Sequence, residues 1–139
     1  MTPSFVVDAS VGMAWFFKDE ITPATQRVLK EAISTVALVP SWWYVEIANV
    51  LALAERKGGV TLSEIDDFVA VLDSVQIEVD NEAPQRAFSH LLPLCRAHRL
   101  TSYDAIYLDL AVRRRLPLAT LDGPLRKAAK KLGVKLLGK

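Results

Sequence analysis

The sequence predicts an α/β fold: a single domain over residues 1–139 with a mainly parallel, twisted sheet of about four to five strands and helices on both faces. Short apolar runs rich in β-branched residues alternate with segments of helical periodicity along the whole chain. Strands separated by helices imply right-handed crossovers and parallel pairing. A chain of 139 residues, 51% of them hydrophobic, is long enough to bury one core.

The first half of the chain is predicted as strand, helix, helix, strand, helix. The apolar run Phe5-Val6-Val7 indicates a strand, and Ser10 is a candidate N-cap for the apolar stretch that follows. Pro40 closes a second strand-like run, and Ser41 is placed to cap a long helix. The predicted bounds are a strand over 5–7, helices over 11–17 and 23–34, a strand over 36–40 and a helix over 42–57.

The second half continues the alternation. Thr61 or Ser63 starts a helix after the break at Gly58-Gly59. The segment from Thr101 to Asp104 has the spacing of a capping box, and Asp122-Gly-Pro is a natural helix opening. The predicted bounds are strands over 75–79, 117–121 and 134–137, and helices from 61 or 63 to 74, over 81–97, over 101–115 and over 122–131.

Composition excludes several classes of protein. The formal net charge is +1, so bulk charge indicates no partner, yet residues 96–139 hold 11 Lys and Arg against 3 Asp and Glu, a charge of +8. A basic half of this kind can present phosphate-binding surface, or simply solvated helix ends. The single Cys95 forms no internal disulfide and is expected in the core. No signal peptide or membrane span is apparent, so we expect a cytoplasmic protein that does not associate with a membrane.

Four carboxylates have positions that suggest chemistry. Asp8 and Asp122 follow strands, although turn and capping roles would also explain them. Asp104 lies in the first turn of a helix, where the helix dipole would favour it. Glu46 falls on an apolar face between Trp42, Val50 and Leu53, where an unpaired buried charge would be costly.

Together these positions predict a metal site. The carboxyl ends of parallel strands meet at one edge of a sheet, so all four acids can reach the same rim. Converging carboxylates repel each other unless a cation neutralises them, and hard oxygens suit Mg²⁺ or Mn²⁺. Zinc is disfavoured, because one Cys and two histidines, His90 and His98, offer no suitable ligand set.

Four motifs carry a family resemblance over nearly the whole chain. They are Val-Val-Asp8-Ala-Ser10-Val, Glu46-x-x-Asn49-x-Leu51, Leu100-Thr-Ser-Tyr-Asp104-Ala-Ile-Tyr-Leu and Leu118-Ala-Thr120-Leu-Asp122. Through them the sequence resembles the VapC-type toxins of the PIN-domain ribonucleases. The third motif is the most specific. Gly12 and Ala14 depart from the residues expected after the first motif.

The resemblance implies an acidic Mg²⁺ or Mn²⁺ site and cleavage of single-stranded or structured RNA. Asp8, Glu46, Asp104 and Asp122 fall on its four acidic positions, as catalytic and metal-binding residues. Ser10, Asn49 and Thr120 fall on neighbouring polar positions that orient ligands or water. It also implies a small VapB-like antitoxin whose extended segment covers or enters the site, and a homodimer or a hetero-oligomer with that antitoxin.

The predicted reaction is metal-assisted phosphodiester hydrolysis, with Asp8 and Asp104 as first ligands and Glu46 as a proton acceptor. Asp109 is expected to face solvent, about 140° from Asp104 around its helix. Basic residues would bind the RNA backbone; the candidates are Arg113, Arg114, Arg115, Arg126, Lys127, Lys130 and Lys131. The large aromatics are expected mostly in the core, with a dimer seam or an antitoxin groove as alternatives; they are Trp15, Phe16, Phe17, Trp42, Trp43 and Tyr44.

Three rival functions remain open at this point. A metal-dependent adhesion site also begins with Asp-x-Ser after the first strand, but Gly12 stands where that pattern has its second serine. A phosphotransfer or receiver domain would need a paired Asp or Asp-x-Asp that Asp8-Ala9-Ser10 lacks. A catalytically silent PIN domain that only binds partners is the third alternative, which retention of all four acids disfavours.

Overall fold

The computed structural model describes residues 2–139 as one α/β domain. Five strands form one parallel sheet; they are β1 (Phe5–Val7), β2 (Ala37–Pro40), β3 (Ile77–Asp80), β4 (Leu118–Ala119) and β5 (Leu136–Leu137). The α-helices are α1 (Ala9–Ala14), α2 (Pro23–Ser34), α3 (Trp42–Arg56), α4 (Leu62–Ser74), α5 (Ala83–Arg86), α6 (Leu92–His98), α7 (Ser102–Arg114) and α8 (Gly123–Lys131). A 3₁₀ turn spans Lys18–Glu20, and a π-helical turn over Ala87–Leu91 joins α5 to α6. The predicted fold class is confirmed.

The strand order is β3-β2-β1-β4-β5, so the chain reverses its direction of winding beside β1. Ligands of such sheets bind at the carboxyl ends of the strands next to this reversal. Val7 of β1 pairs with Ala119 of β4. The residues that follow this pair, Asp8 and Thr120, therefore leave the sheet side by side at the point where the topology favours a site.

Both faces of the sheet centre are covered. The β1 residues Phe5, Val6 and Val7 point alternately to opposite faces, and all three are fully buried. A side chain at Gly12 would place its Cβ 2.9 Å from Cζ2 of Trp43, so glycine permits the close approach of α1 to α3. The Trp43 indole N–H donates to the Asp8 carbonyl at 3.1 Å, which ties α3 to the end of β1.

Several predicted boundaries need correction. The first helix spans Ala9–Ala14 instead of 11–17, and its N-cap is Asp8 instead of Ser10, because the Asp8 carboxylate accepts from the Val11 N–H at 3.1 Å. Strands β3, β4 and β5 are displaced or shorter than predicted, since apolar residues continue past the paired backbone. The helix over 23–34 and the end of the last helix at Lys131 are confirmed.

The buried face of α3 differs from the expected one. The helix buries Trp43, Ile47 and Leu51, whereas Val50 and Leu53 are exposed. The apolar face on which Glu46 was placed is therefore partly a solvent face. Glu46 is half-buried at the border of this solvent face, where it is hydrogen-bonded to Tyr107.

Asp109 is also corrected. It is buried, with 7% of the residue exposed. The Arg86 guanidinium donates two hydrogen bonds to its carboxylate, from Nε to Oδ2 at 2.6 Å and from Nη2 to Oδ1 at 2.8 Å. The pair fastens α5 to α7. Asp109 was predicted to face solvent because its partner lies 23 residues away, where helical periodicity gives no signal.

Among residues 2–139, no helix combines the length and the apolar character needed to cross a bilayer.

Candidate active site

Asp8 is the most enclosed of the four carboxylates, with 3% of the residue exposed. Its Oδ1 accepts from the Ser10 hydroxyl at 2.6 Å and from the Val11 N–H at 3.1 Å. Its Oδ2 accepts from the Thr120 hydroxyl, which β4 delivers through the Val7–Ala119 pairing. The surrounding strands and hydroxyls thus hold this carboxylate in one orientation.

Burial raises the pKa of Asp8 from 3.8 to about 6. The three hydrogen bonds to Ser10, Thr120 and Val11 lower the pKa and so oppose this effect, while the charge of Asp104 adds to it. Neutral donors therefore do not compensate fully for the loss of water. A cation beside Asp8 would supply the compensation that is missing.

Hydroxyls connect the Asp8 position to the loop that carries Asp122. The Leu121 N–H donates to Ser10 Oγ and the Asp122 N–H donates to Thr120 Oγ1, each at 3.0 Å. Asp122 itself caps α8, where its Oδ2 accepts from the Leu125 N–H at 2.9 Å. Ser10 and Thr120 thus fix both the Asp8 carboxylate and the loop beside it.

Glu46 has a partner that the sequence analysis did not assign. The Tyr107 hydroxyl donates to Glu46 Oε1 at 2.7 Å, across 61 residues of chain. Burial raises the pKa of Glu46, the Tyr107 bond lowers it, and the charges of Asp8 and Asp104 raise it further. Burial likewise raises the pKa of Tyr107, so this phenol is a neutral donor that orients the Glu46 carboxylate. Tyr107 stands one turn after Asp104 in the third motif, which was the available signal.

Asp104 lies in the first turn of α7, half-buried. The Thr101 hydroxyl accepts from the Asp104 N–H at 3.3 Å, so the predicted cap at Thr101 is present. Burial and the charge of Asp122 both raise the pKa of the Asp104 carboxyl. The charge of Asp104 in turn raises the pKa values of Asp8 and Glu46. The four acids are therefore electrostatically coupled through Asp104.

None of these four carboxylates forms a salt bridge with a Lys, Arg or His side chain in the stretch from residue 2 to 139. Over the same residues, no three Asp, Glu, His or Cys side chains lie close enough together to form a ready coordination shell. The fit to a metal thus rests on donor chemistry and charge. Hard carboxylate oxygens without a counter-charge match Mg²⁺ or Mn²⁺, and burial raises the pKa of three of these carboxyls, Asp8, Glu46 and Asp104.

Among the other polar and basic candidates of residues 2–139, Asn49 is free, whereas three arginines are engaged in contacts within the domain. Asn49 is exposed on α3, and its side chain makes no hydrogen bond within residues 2–139. Arg113 pairs with Asp80 and Glu82, and Arg114 lies 3.5 Å from Glu78, so both serve structural contacts instead of remaining free for RNA. Arg126 donates to the carbonyls of Thr120 and Leu137.

A basic cleft lies on the Asp122 side of the carboxylates. It has a volume of about 540 Å³ and is formed by the end of α6 and the face of α8. His98, Arg99, Lys127 and Lys131 line it, and the three fixed cations among them are exposed. Gly123, the first residue of α8, also lines the cleft, next to the Asp122 cap. The basic cleft therefore extends to the residue that follows Asp122.

Comparison with known proteins gives one family and one fold. The family model described as PIN domain matches residues 5–131. A search of curated protein sequences finds no match. Among solved structures, 23 chains match, including the crystal structure of PAE2754 from Pyrobaculum aerophilum, with 23% sequence identity and a TM-score of 0.70 over 96% of this chain and 83% of that one. At this identity the structural likeness shows the fold.

Proposed function

Because this chain belongs to the PIN-domain family, whose members are generally metal-dependent nucleases, we propose that it is an Mg²⁺- or Mn²⁺-dependent endoribonuclease of the VapC type. In this proposal it is the toxin of a toxin–antitoxin pair and hydrolyses RNA phosphodiester bonds. Membership of the family supports nuclease chemistry.

One observation carries the proposal. At the carboxyl edge of the sheet, the charge of Asp104 raises the pKa values of Asp8 and Glu46, and the charge of Asp122 raises the pKa of Asp104. No basic side chain of residues 2–139 pairs with any of these four carboxylates. The other buried or half-buried carboxylates of residues 2–139, Asp80 and Asp109, are each paired with an arginine. Leaving four acids without a counter-charge costs stability, and a divalent cation would recover that cost.

Each side chain has a proposed role. Asp8 and Asp104 would hold the metal directly, and Glu46 and Asp122 would complete the shell directly or through water. A divalent cation bound there would supply an activated water and stabilisation of the leaving 3′ oxygen. The Glu46 carboxylate would accept the proton of the attacking water, and the hydrogen bond from the Tyr107 hydroxyl would hold this carboxylate in the required orientation. Ser10 and Thr120 would hold Asp8 in its binding orientation.

The RNA backbone needs positive charge close to this acidic edge. The cleft lined by Arg99, Lys127 and Lys131 supplies it without disturbing a structural ion pair. These cations, together with the metal, would offset the repulsion between the carboxylates and the phosphates. Asn49 remains a proposed contact to water or substrate, since its amide is free on the surface of α3.

Two protein partners belong to the proposal. An antitoxin would cover the acidic edge with an extended segment, and a second copy of the chain would form a homodimer. Val45, Val50 and Leu53 of α3 are between 36% and 54% exposed, which supports a contact of α3 with another protein.

Gly12 argues against an adhesion-type binding module. A ligating side chain at this position would collide with the ring of Trp43, since even a Cβ approaches it to 2.9 Å. The position is therefore committed to helix packing. Retention of all four carboxylates, three of which accept defined hydrogen bonds, argues against a silent domain as well.

The proposal is tested by incubating purified protein with a mixed cellular RNA pool. The conditions are Mg²⁺, Mn²⁺ and EDTA, and the variants are Asp8→Asn and Asp104→Asn, with Asp67→Asn on the exposed face of α4 as the matched control. We expect metal-dependent cutting that both site variants lose and the control keeps. Equal behaviour of all variants, or no metal-dependent cutting by the unmodified chain, would overturn the nuclease function.

A further inference from the structure

A stacked aromatic pair stands at the edge of the carboxylate site. The rings of Trp42 and Tyr103 lie with centroids 5.0 Å apart and planes at 13°. Trp42 opens α3 and Tyr103 lies in the first turn of α7, directly before Asp104. Tyr103 is 56% exposed although Trp42 stacks on one face of its ring.

The pair is aligned with the site by the two helices that carry it. Trp42 and Glu46 are four residues apart on α3, and Tyr103 and Tyr107 are four residues apart on α7. The Trp42–Tyr103 stack and the Glu46–Tyr107 hydrogen bond are therefore successive contacts between the same helices. One helical turn, about 5.4 Å, separates them.

The surroundings of the pair are suited to binding a nucleotide. The Trp42 indole N–H is buried without a hydrogen-bond partner in the described chain, so the ring contributes its surface and not its donor. A shallow, mainly apolar cleft of about 440 Å³ runs from the pair between α3, α5 and α7. The first turn of α3 opens beside it, and because the Ser41 side chain does not cap this helix, its N–H groups favour phosphate.

We infer that Tyr103, backed by Trp42, stacks on an unpaired nucleobase next to the scissile phosphate. The inference deepens the proposed nuclease function and rests on it. A base inside a duplex has both faces covered by its neighbours, so this position selects single-stranded or looped RNA. The aromatic pair and the basic cleft flank the carboxylates on different elements, and a strand crossing the site would contact both.

The inference is tested by binding, in an Asp8→Asn background that prevents cleavage. The probe is a single-stranded oligoribonucleotide of about eight nucleotides that carries 2-aminopurine, a base whose fluorescence is quenched by stacking. Tyr103→Leu is compared with the conservative Tyr103→Phe and with Tyr44→Leu, which removes an aromatic ring that is also exposed on α3 but does not contact Tyr103. A duplex of the same sequence is measured in parallel.

We expect Tyr103→Leu to weaken single-strand binding by about 5- to 150-fold, the range that base–aromatic stacking supplies, and to abolish the quenching. Tyr103→Phe and Tyr44→Leu should retain both, and duplex binding should be weak in every variant. In the cleaving protein, Tyr103→Leu should raise KM by a similar factor and leave kcat nearly unchanged.

The outcomes separate this inference from the nuclease function. Metal-dependent cleavage with unchanged KM and quenching in Tyr103→Leu would overturn the stacking position and leave the nuclease intact; a surface made for a protein segment predicts this result. Failure of the unmodified chain to cleave would overturn the nuclease function, while the quenching experiment would still decide whether Tyr103 stacks on a base.

Discussion

Two carboxylates on the same helix show opposite ways of placing a charge below the surface. Asp109 of α7 is gripped by Arg86 through two hydrogen bonds, and Arg113 nearby pairs with Asp80 and Glu82. Asp104 of α7 has no cationic partner within residues 2–139, and burial with the charge of Asp122 raises its pKa. The Arg86 side chain neutralises Asp109, whereas no cationic side chain of residues 2–139 neutralises Asp104.

The difference separates stability from function. An arginine-paired carboxylate holds helices together, and removal of either partner leaves the other as an unpaired buried charge. The coupled acids at the sheet edge repel one another, so the folded chain without metal bears a cost there. Substitutions at the two sites should therefore have opposite signatures in stability and activity.

The largest expected effect is on cleavage at the edge site. Asp104→Asn should reduce metal-dependent RNA cleavage at least about 100-fold, because loss of a ligand exceeds the usual loss for a supporting group. Asp109→Asn should keep kcat within a few-fold at temperatures where it is folded. The single-turnover cleavage rates of the two variants are measured at the same Mg²⁺ concentration. Equal losses of rate would contradict the proposed difference between the two carboxylates.

The next effect is on stability at the paired site. Asp109→Asn should lower the free energy of unfolding by about 3 kcal/mol, the low end for breaking a buried pair, since the Arg86 side chain keeps 20% exposure. Urea unfolding measures it, with Asp67→Asn as the control for an exposed carboxylate. A loss no larger than that of the control would show that the pair contributes nothing to stability.

A smaller effect is expected from pH in metal-free protein. The Asp8 pKa is raised to about 6 in the fold, so the folded state binds this proton more tightly than the unfolded chain. Stability should therefore fall as pH rises from about 4 to about 6, by less than about 3 kcal/mol. Thermal unfolding in EDTA should show this loss in the unmodified chain and lack it in Asp8→Asn. The same fall in both would contradict the assignment to Asp8.

The smallest effect concerns the group that orients Glu46. Tyr107→Phe removes the hydroxyl that donates to Glu46 at 2.7 Å and leaves the buried ring in place. Cleavage should fall about 10-fold through kcat, with metal affinity less affected than in Asp104→Asn. Steady-state kinetics with a metal titration separates the two, and unchanged kcat would show that Glu46 needs no orientation.

The sequence predicted those features that depend on local order along the chain. Asp8 and Asp122 were placed at strand ends because short apolar runs stop there, and parallel topology brings strand ends together. The cap of Thr101 on α7 followed from its spacing to Asp104. The metal-ligand roles of the four acids stay a prediction that rests on these positions.

Features that depend on contacts distant in sequence were not predictable. Arg86 and Asp109 are 23 residues apart, and Glu46 and Tyr107 are 61 residues apart, so no periodicity reports either contact. The buried face of α3 was misjudged because Val50 and Leu53 are apolar but exposed. Exposed apolar side chains of this kind break the rule by which apolar patterns indicate burial.

The most direct test of the central claim is Mn²⁺ binding measured calorimetrically on the metal-free protein. We expect saturable binding that raises the thermal unfolding temperature. Asp8→Asn and Asp104→Asn should abolish this binding, and Asp109→Asn and Asp67→Asn should retain it. Binding that survives in both edge variants, or its absence from the unmodified chain, would contradict the claim that these carboxylates are kept unpaired for a metal.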